Sequence, residues 1–414
     1  MSKQQLSERL CAWIDQHFEE EVGVLQQLIR IPTDTPPGNN APHADAVAEL
    51  VQSWGWQAEK HSVPAAQVHD YGMQSITNLI VRRPYGDGGP TLALNAHGDV
   101  VPPGEGWTHD PYGGEVADGR IYGRASAVSK SDFASYIFAT RALESLGAAL
   151  RGGVELHFTY DEEFGGLLGP GWLLEQKLTR PDYVLAAGFS YNVVTAHNAC
   201  LQFEVTVHGR ATHGSMPETG HDALQAANAI LNAIYGALPG LKEIRSAIAG
   251  ISHPTMIVGR IDGGTNTNVV PGKVVLKMDR RMIPEEDPAQ VEAGVRKLIE
   301  DAVAGLPGIR VEIRRLLLAR ALRPLPGHEK LVESLLRNAR EVMGETLTTN
   351  GSALYTDARL YGEAGIPVVL FGAGPRTLME SNAKQADENL SLDDLRKATK
   401  VVALMLLDFL GPQD

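Results

Sequence analysis

The sequence has little of what several classes of protein require. It contains only two cysteines, Cys11 and Cys200, which are too few and too isolated for a disulfide framework or a cysteine metal site. It has no excess of positive charge, and its formal net charge of −13 argues against nucleic acid or an anionic membrane as a partner. No apolar run could span a bilayer, and the first residues lack the apolar core of a signal peptide. We therefore expect a soluble, cytoplasmic protein with reduced thiols.

Short apolar strands alternate with helical segments in the first part of the chain. Residues 86–90 form a glycine-rich turn, and residues 91–96 and 154–160 have the composition of strands. Between these strands, apolar side chains recur at helical spacing over 132–146. Polar residues follow the carboxyl ends of both strands. The pattern predicts an α/β domain with a largely parallel sheet and a ligand crevice at those ends.

The pattern changes near residue 199. Residues 201–207 alternate strictly between apolar and polar side chains, which predicts a strand with one face in water. The sequence predicts a smaller α+β domain over 199–318, inserted into a discontinuous larger domain over 1–198 and 319–414. The remaining predicted elements are strands over 183–187, 255–261, 273–278 and 367–371, and helices over 223–238, 329–343 and 392–410.

Four polar segments could carry chemistry, and the first of them contains His97 and Asp99. Side chains two residues apart point the same way in an extended chain, so Asp99 can orient the ring of His97. Alone, such a pair is equally typical of a surface loop.

Each of the other three segments also has a plain structural interpretation. Residues 123–131 would form a loop before a helix, and residues 381–388 would cap the last helix. Residues 159–166 include three consecutive acids at 161–163. Clustered carboxylates repel one another, so these acids indicate either a solvated loop or a cation or acid/base site.

In this order and spacing, the four segments together resemble the family of acetylornithine deacetylase, succinyl-diaminopimelate desuccinylase, aminoacylase and glutamate carboxypeptidase. The resemblance covers nearly the whole chain. It includes Trp107, Pro111, residues 118–124 (DGRIYGR), 209–217 (GRATHGSMP), 264–271 (GTNTNVVP), 279–281 (DRR) and 356–359 (TDAR). It implies a catalytic domain of the zinc-exopeptidase type with an inserted lid and dimerisation domain.

The resemblance also implies two zinc ions, held by two histidines, a bridging aspartate and two further carboxylates. Position by position, His97 matches the first histidine ligand and Asp99 the residue that orients it. Glu162 matches the general base that activates the bridging water, and Glu163 matches one carboxylate ligand.

Three ligand positions carry other side chains. Val128 stands at the position of the bridging aspartate, Phe189 near that of an acidic ligand, and Lys384 at that of the second histidine. Zinc in proteins requires three or four protein ligands, and only His97 and Glu163 remain of this set. The ammonium of Lys384 would neutralise the remaining carboxylate. We therefore expect no bound metal and no other cofactor.

The resemblance assigns further roles to residues outside these segments. His213 would reach from the small domain into a partner subunit and stabilise the oxyanion, so we expect a homodimer formed through the lid domain. Asn268, Arg281 and Arg359 would hold a substrate carboxylate, a task that suits guanidinium through bidentate bonds. For each arginine, an ion pair that closes the domain is the alternative.

Three functions are consistent with this sequence. The first is a metal-independent enzyme that acts on a small carboxylate-bearing amide or related compound. Glu162 would be its general acid/base, the His97–Asp99 pair a second acid/base group, and Lys384 would stabilise negative charge. The second is a conventional zinc amidohydrolase with other ligands, for example His197, Asp132 or Asp182. The third is a non-catalytic protein that binds carboxylates.

Overall fold

The computed structural model describes residues 1–412, and contacts divide the chain into two compact units. The large unit comprises Met1–Thr195, Pro324–Asn350 and the described chain from Thr356, and the small unit comprises Ala196–Arg323 and Gly351–Tyr355. The predicted boundaries assign residues 351–355 to the larger domain. The structure instead joins them to the small unit, because the Gly351 amide donates to the Ala249 carbonyl (2.6 Å) and the Asn198 amide donates to the Ser352 carbonyl (3.0 Å).

The large unit is built on an eight-stranded sheet in the order β1-β2-β6-β3-β7-β16-β8-β15. Numbered along the chain, its strands are β1 (Ala58–Ser62), β2 (Thr77–Pro84), β3 (Gly86–His97), β6 (Arg151–Thr159), β7 (Tyr183–Ala186), β8 (Asn192–His197), β15 (Thr348–Ser352) and β16 (Val368–Leu370). The central strands β6, β3, β7 and β16 are parallel, whereas β2 and β8 flank them in antiparallel orientation. The predicted α/β class with a largely parallel sheet is therefore confirmed.

Helices cover this sheet. They are α1 (Lys3–Ile29), α2 (Ala41–Ser53), α3 (Ala65–Asp70), α4 (Lys130–Ser145), α5 (Pro170–Glu175), α8 (His328–Met343), α9 (Arg359–Glu363) and α10 (Leu392–Leu410). Helix α1 begins with a reciprocal capping box, in which the Gln5 amide donates to Ser2 Oγ (3.3 Å) and the Ser2 amide donates to Gln5 Oε1 (2.9 Å). Its apolar side chains, including Leu6, Leu10 and Ile14, are buried in the core. None of the helices in residues 1–412 combines the length and the apolar character needed to cross a membrane.

A second, three-stranded sheet lies in the large unit and consists of β4 (Glu115–Ala117), β5 (Arg120–Tyr122) and β17 (Asn389–Ser391), in the order β17-β5-β4. Strand β17 directly follows the predicted polar segment 381–388 and leads into α10. The cap of α10 is Ser391, whose Oγ accepts the Asp394 amide (3.3 Å). The capping role proposed for residues 381–388 is therefore wrong.

The small unit has its own core between a four-stranded antiparallel sheet and two helices. Its elements are β9 (Ala199–His208), β10 (Thr212–His213), α6 (Ala223–Glu243), β11 (Thr255–Gly263), β12 (Val269–Val270), β13 (Lys273–Met282), α7 (Pro288–Val303) and β14 (Arg310–Ala319). The sheet order is β11-β13-β9-β14. In β9, Leu201, Phe203, Val205 and Val207 are buried and alternate with partly exposed residues, as the sequence pattern predicts.

One predicted turn is part of a strand. Residues 86–90 belong to β3, because Gly86 pairs with Arg151 and its amide donates to the Leu150 carbonyl (2.9 Å). A register shift between Gly86 and Thr91 absorbs the irregular glycine-rich stretch.

Candidate active site

The parallel strands β3 and β6 bring two polar segments to one edge of the large sheet. Strand β3 ends at His97, which pairs with Thr159 at the end of β6. The acids Glu162 and Glu163 follow within one turn of 3₁₀ helix. Because both strands are parallel, their carboxyl ends meet, and the residues that follow them form one site.

Asp99 is the centre of this arrangement. Its buried carboxylate accepts the amide of Glu162 (Oδ1, 3.2 Å) and the amide of Glu163 (Oδ2, 2.9 Å). Nδ1 of His97 lies 3.0 Å from the Asp99 carbonyl oxygen and 3.5 Å from its carboxylate Oδ1. Asp99 therefore orients the histidine ring and also holds the loop that carries both glutamates.

His97 is charged at neutral pH. Its Nε2 lies 3.8 Å from Glu162 Oε2, and the side chains of His97 and Glu162 are 6% and 11% exposed. Burial alone would lower the pKa of His97, but Glu162 and Asp99 outweigh it and raise that pKa to about 10. At pH 7 His97 can therefore donate a hydrogen bond to a negatively charged group.

Lys384 forms an ion pair with Glu163. Its Nζ lies 2.7 Å from Glu163 Oε2, and the lysine side chain is 46% exposed whereas the glutamate is 9% exposed. Burial opposes the charge on Lys384, but Glu162 and Glu163 raise its pKa above the ordinary value. The ammonium therefore remains charged and neutralises one carboxylate of the site.

The loop around Lys384 is held by Glu388, which the sequence does not mark as a separate site residue. Its buried carboxylate accepts Nη1 of Arg124 (2.5 Å) and the Lys384 amide (3.2 Å) through Oε2. Oε1 accepts the amides of Ala127 (3.1 Å) and Val128 (3.3 Å). Lys384 itself lies in the left-handed region, with φ of 62°. One carboxylate thus connects the loop of Lys384 to the loop of Val128.

The loop of Val128 is in turn attached to His97. Ser129 Oγ accepts the His97 amide (3.1 Å) and donates to the His97 carbonyl (3.0 Å). This serine contacts the backbone, not the ring, so it does not form a nucleophile–base pair with His97. The hydroxyls of Ser126 and Ser131 are buried, and neither has a hydrogen-bond partner within the described chain.

Phe189 lies on a neighbouring segment. It forms an isolated parallel bridge with Gly374, whose amide donates to the Gly188 carbonyl (3.0 Å). A Cβ atom at Gly374 would lie 3.6 Å from the Ala127 carbonyl oxygen. The bridge partner of Phe189 therefore lies close to the loop of Val128.

Asp357 is a further acid near Glu162, and the sequence alone does not assign it to the site. It is buried, and burial together with the nearby Glu162 raises its pKa to about 7. Its Oδ2 lacks a hydrogen-bond partner in the part of the chain that the structure describes. The TDAR motif was the available signal for this residue.

Arg359 is buried beside the glutamate loop. Its side chain is 2% exposed, its Nη2 donates to the Gly165 carbonyl (2.6 Å), and its Nη1 lies 3.7 Å from Glu363. This guanidinium supports the glutamate loop from within the protein, and its expected role in holding a substrate carboxylate stays a prediction.

The other candidate substrate residues lie in the small unit. His213 is exposed, and its Nδ1 lies 2.7 Å from Ser215 Oγ. Asn268 is exposed on the segment before β12. Arg281 is 29% exposed, donates to Asp279 (2.7 Å), and its guanidinium lies 5.1 Å from the ring centre of Tyr355. Their proposed roles stay predictions.

Each of the three alternative zinc ligands has contacts within its own part of the chain. Asp132 is buried in α4 and accepts the Ala373 amide (2.6 Å). Asp182 accepts the Thr91 amide (2.8 Å), towards the other end of β3 from His97. His197 lies in the small unit, where its Nδ1 is 2.8 Å from the Asn198 carbonyl oxygen.

The residues present do not fit a dinuclear zinc centre. Within residues 1–412, no three histidine, cysteine, aspartate or glutamate side chains are grouped so that they could hold a metal ion. At the positions of three expected ligands stand two apolar side chains and an ammonium, none of which can donate an electron pair to zinc while the lysine is charged.

Comparisons with known proteins agree with this fold. A sequence profile described as "Peptidase family M20/M25/M40" matches residues 93–408. The chain is 28% identical over 409 residues to succinyl-diaminopimelate desuccinylase of Rhodospirillum centenum, covering 94% of this chain and 96% of the relative. It is 28% identical over 391 residues to acetylornithine deacetylase of Myxococcus xanthus, covering 94% and 97%.

Solved structures show the same fold. The dipeptidase Dug1p of Saccharomyces cerevisiae matches with a TM-score of 0.79 at 14% identity and covers 99% of both chains. The metallo-carboxypeptidase Sso-CP2 of Sulfolobus solfataricus matches with a TM-score of 0.77 at 19% identity, covering 94% of this chain and 98% of that one.

Proposed function

The chain belongs to peptidase family M20/M25/M40, a family of hydrolases of amide and peptide bonds, and from that premise we propose that it acts without a metal ion. The proposed substrate is a small carboxylate-bearing amide or a related C–N compound. The names of the two relatives describe removal of an acyl group from an amino acid, which supports acylated amino acids as the first substrates to test.

The ion pair between Lys384 and Glu163 carries the proposal. Their 2.7 Å contact puts a positive charge on a carboxylate that would otherwise be available to a cation. A zinc ion would have to displace this ammonium, and would then find only His97 and Glu163 of the expected ligands. Two ligands are too few for tight binding of zinc.

Glu162 is the proposed general acid/base. As a water oxygen bonds to the acyl carbon, the Glu162 carboxylate takes up one proton of that water. When the C–N bond breaks, the same carboxyl group gives the proton to the leaving nitrogen, so that water and amide become acid and amine. No other reactant is required.

His97 and Lys384 are the proposed stabilisers of the negative oxygen that forms on the acyl carbon. Both are cations at neutral pH, and His97 keeps its proton because its pKa is about 10. Removal of one such fixed donor typically costs about 10²- to 10³-fold in kcat.

The test is turnover in the presence of a chelator. N-acyl amino acids, ureido acids and cyclic amides would be screened with protein purified without chelator, whose metal content is measured, and again after chelation. The proposal expects turnover that survives chelation and is lost in Glu162→Gln. Turnover that requires zinc would contradict it. Substrate binding with no turnover of any compound would favour the non-catalytic alternative.

We also propose that the protein forms a homodimer through the small unit. Strand β11 is at the edge of its sheet, where it exposes Ile257 (57%) and Ile261 (51%), and α6 exposes Tyr235 (53%). An apolar sheet edge of this kind is a ready surface for pairing with a second copy. Sedimentation analysis should give a dimer, and Ile257→Lys with Ile261→Glu should give a folded monomer. A monomeric wild-type protein would contradict the proposal.

A further inference from the structure

Two apolar side chains are accessible at the candidate active site. Val128 is partly exposed, whereas every other residue from 123 to 140 is buried. Phe189 is also partly exposed, although the next residue, Ser190, is buried. Neither belongs to the hydrophobic core of the described chain or is packed against it. The exposed apolar surface of these two side chains is therefore not packed against the hydrophobic core.

Val128 is connected to the charged groups of the site, and Phe189 is connected to the loop of Val128 through its bridge partner Gly374. Val128 precedes Ser129, which is hydrogen-bonded to the backbone of His97, and its own amide donates to the carboxylate that also holds the Lys384 amide. Gly374, the bridge partner of Phe189, lies close to the Ala127 carbonyl, which directly precedes Val128. The partly exposed side chains of Val128 and Lys384 thus belong to two loops that are held by the same carboxylate.

We infer that Val128 and Phe189 form the binding surface for a hydrocarbon group of an anionic substrate, and so determine its specificity. Lys384 has three N–H donors, and Glu163 accepts one of them, which leaves donors for a substrate carboxylate or acyl oxygen. An anion with an apolar chain would complement both the Lys384 ammonium and the apolar side chains of Val128 and Phe189. The inference rests on the proposed assignment of the active site, but it concerns what binds there, not how it reacts.

The measurement is the affinity for straight-chain carboxylates from acetate to octanoate, determined by titration calorimetry in the presence of a chelator. A fully buried methylene contributes about fourfold to affinity. The expected result for the wild-type protein is a rise of roughly two- to fourfold per methylene over the first few members. A flat series would overturn the inference.

Val128→Asp and Phe189→Ser should each flatten the series, because a polar side chain would replace the apolar surface. Val116→Asp is the matched control, since Val116 is an exposed valine on β4, and it should leave the series unchanged. If a variant fails to fold, the milder Val128→Ala and Phe189→Leu are tested instead. Each should still change the gain in affinity per methylene, or the chain length beyond which affinity stops rising. A series that is the same in these variants as in the wild type would overturn the inference.

The result is separable from that of the proposed function. A flat series together with turnover that survives chelation would overturn this inference alone. A rising series in a protein whose turnover requires zinc would overturn the metal-independent mechanism and leave the apolar binding surface supported.

Discussion

Glu388→Gln should destabilise the large unit strongly. The carboxylate of Glu388 is 1% exposed and accepts hydrogen bonds from Arg124 Nη1 and from the amides of Lys384, Ala127 and Val128. Glutamine has a single oxygen acceptor, and its NH₂ group would face donors. The buried guanidinium of Arg124 would also lose its counter-charge. Removing one partner of a buried, hydrogen-bonded ion pair costs about 3–5 kcal/mol, and we expect a loss in that range.

Urea unfolding followed by tryptophan fluorescence is the assay. It reports the large unit alone, which contains all five tryptophans, Trp13, Trp54, Trp56, Trp107 and Trp172. Trp107 is also a local probe, because the guanidinium of Arg124 lies 5.2 Å from its ring centre. The matched control is Asp45→Asn, which removes an exposed ion pair with Lys60 and should cost less than about 1 kcal/mol. A loss for Glu388→Gln no larger than that of this control would refute the reasoning.

Three further predictions concern charge. Burial raises the pKa of Glu21 to about 8, so this group binds its proton more tightly in the folded state, and the free energy of unfolding should fall as pH rises from about 4.5 to about 8. Glu21→Gln should remove up to about 5 kcal/mol of that decline, as measured by urea unfolding at several pH values, and an unchanged decline would contradict the assignment. Lys384→Met should lower kcat about 10²- to 10³-fold without abolishing folding, and an unchanged kcat would exclude Lys384 from the mechanism. The triple variant Val128→Asp, Phe189→Glu, Lys384→His should bind zinc by calorimetry and metal analysis; a folded variant that binds none would show that the three positions are not the former ligand positions.

The fold class could be predicted from the sequence because local patterns carry it. Apolar strands followed by polar residues, and strict alternation in 201–207, need no knowledge of distant contacts. The glycine-rich residues 86–90 were predicted to be a turn because glycine favours turns, and only their pairing with the start of β6 extends the strand through them. Tertiary pairing here prevails over local preference.

The site could be predicted only where the spacing of motifs fixed it. The proximity of Lys384 to Glu163 followed from the resemblance, although 221 positions separate them. The position of Asp357, the four bonds to Glu388 and the burial of Arg359 could not be read in the same way. Each of these three features depends on which side chain fills a particular space between distant segments. A local sequence pattern does not predict such packing.

The left-handed backbone at Lys384 has a consequence for the protein's evolution. Histidine, asparagine and glycine adopt this conformation more readily than lysine does, so the lysine is held at a position that its backbone does not favour. Exchange for glycine or asparagine would relax the turn and delete the ammonium in one step. Either exchange would also leave the largely buried carboxylate of Glu163 without its counter-charge, so any mutation that relaxes this backbone is opposed by the loss of the ion pair.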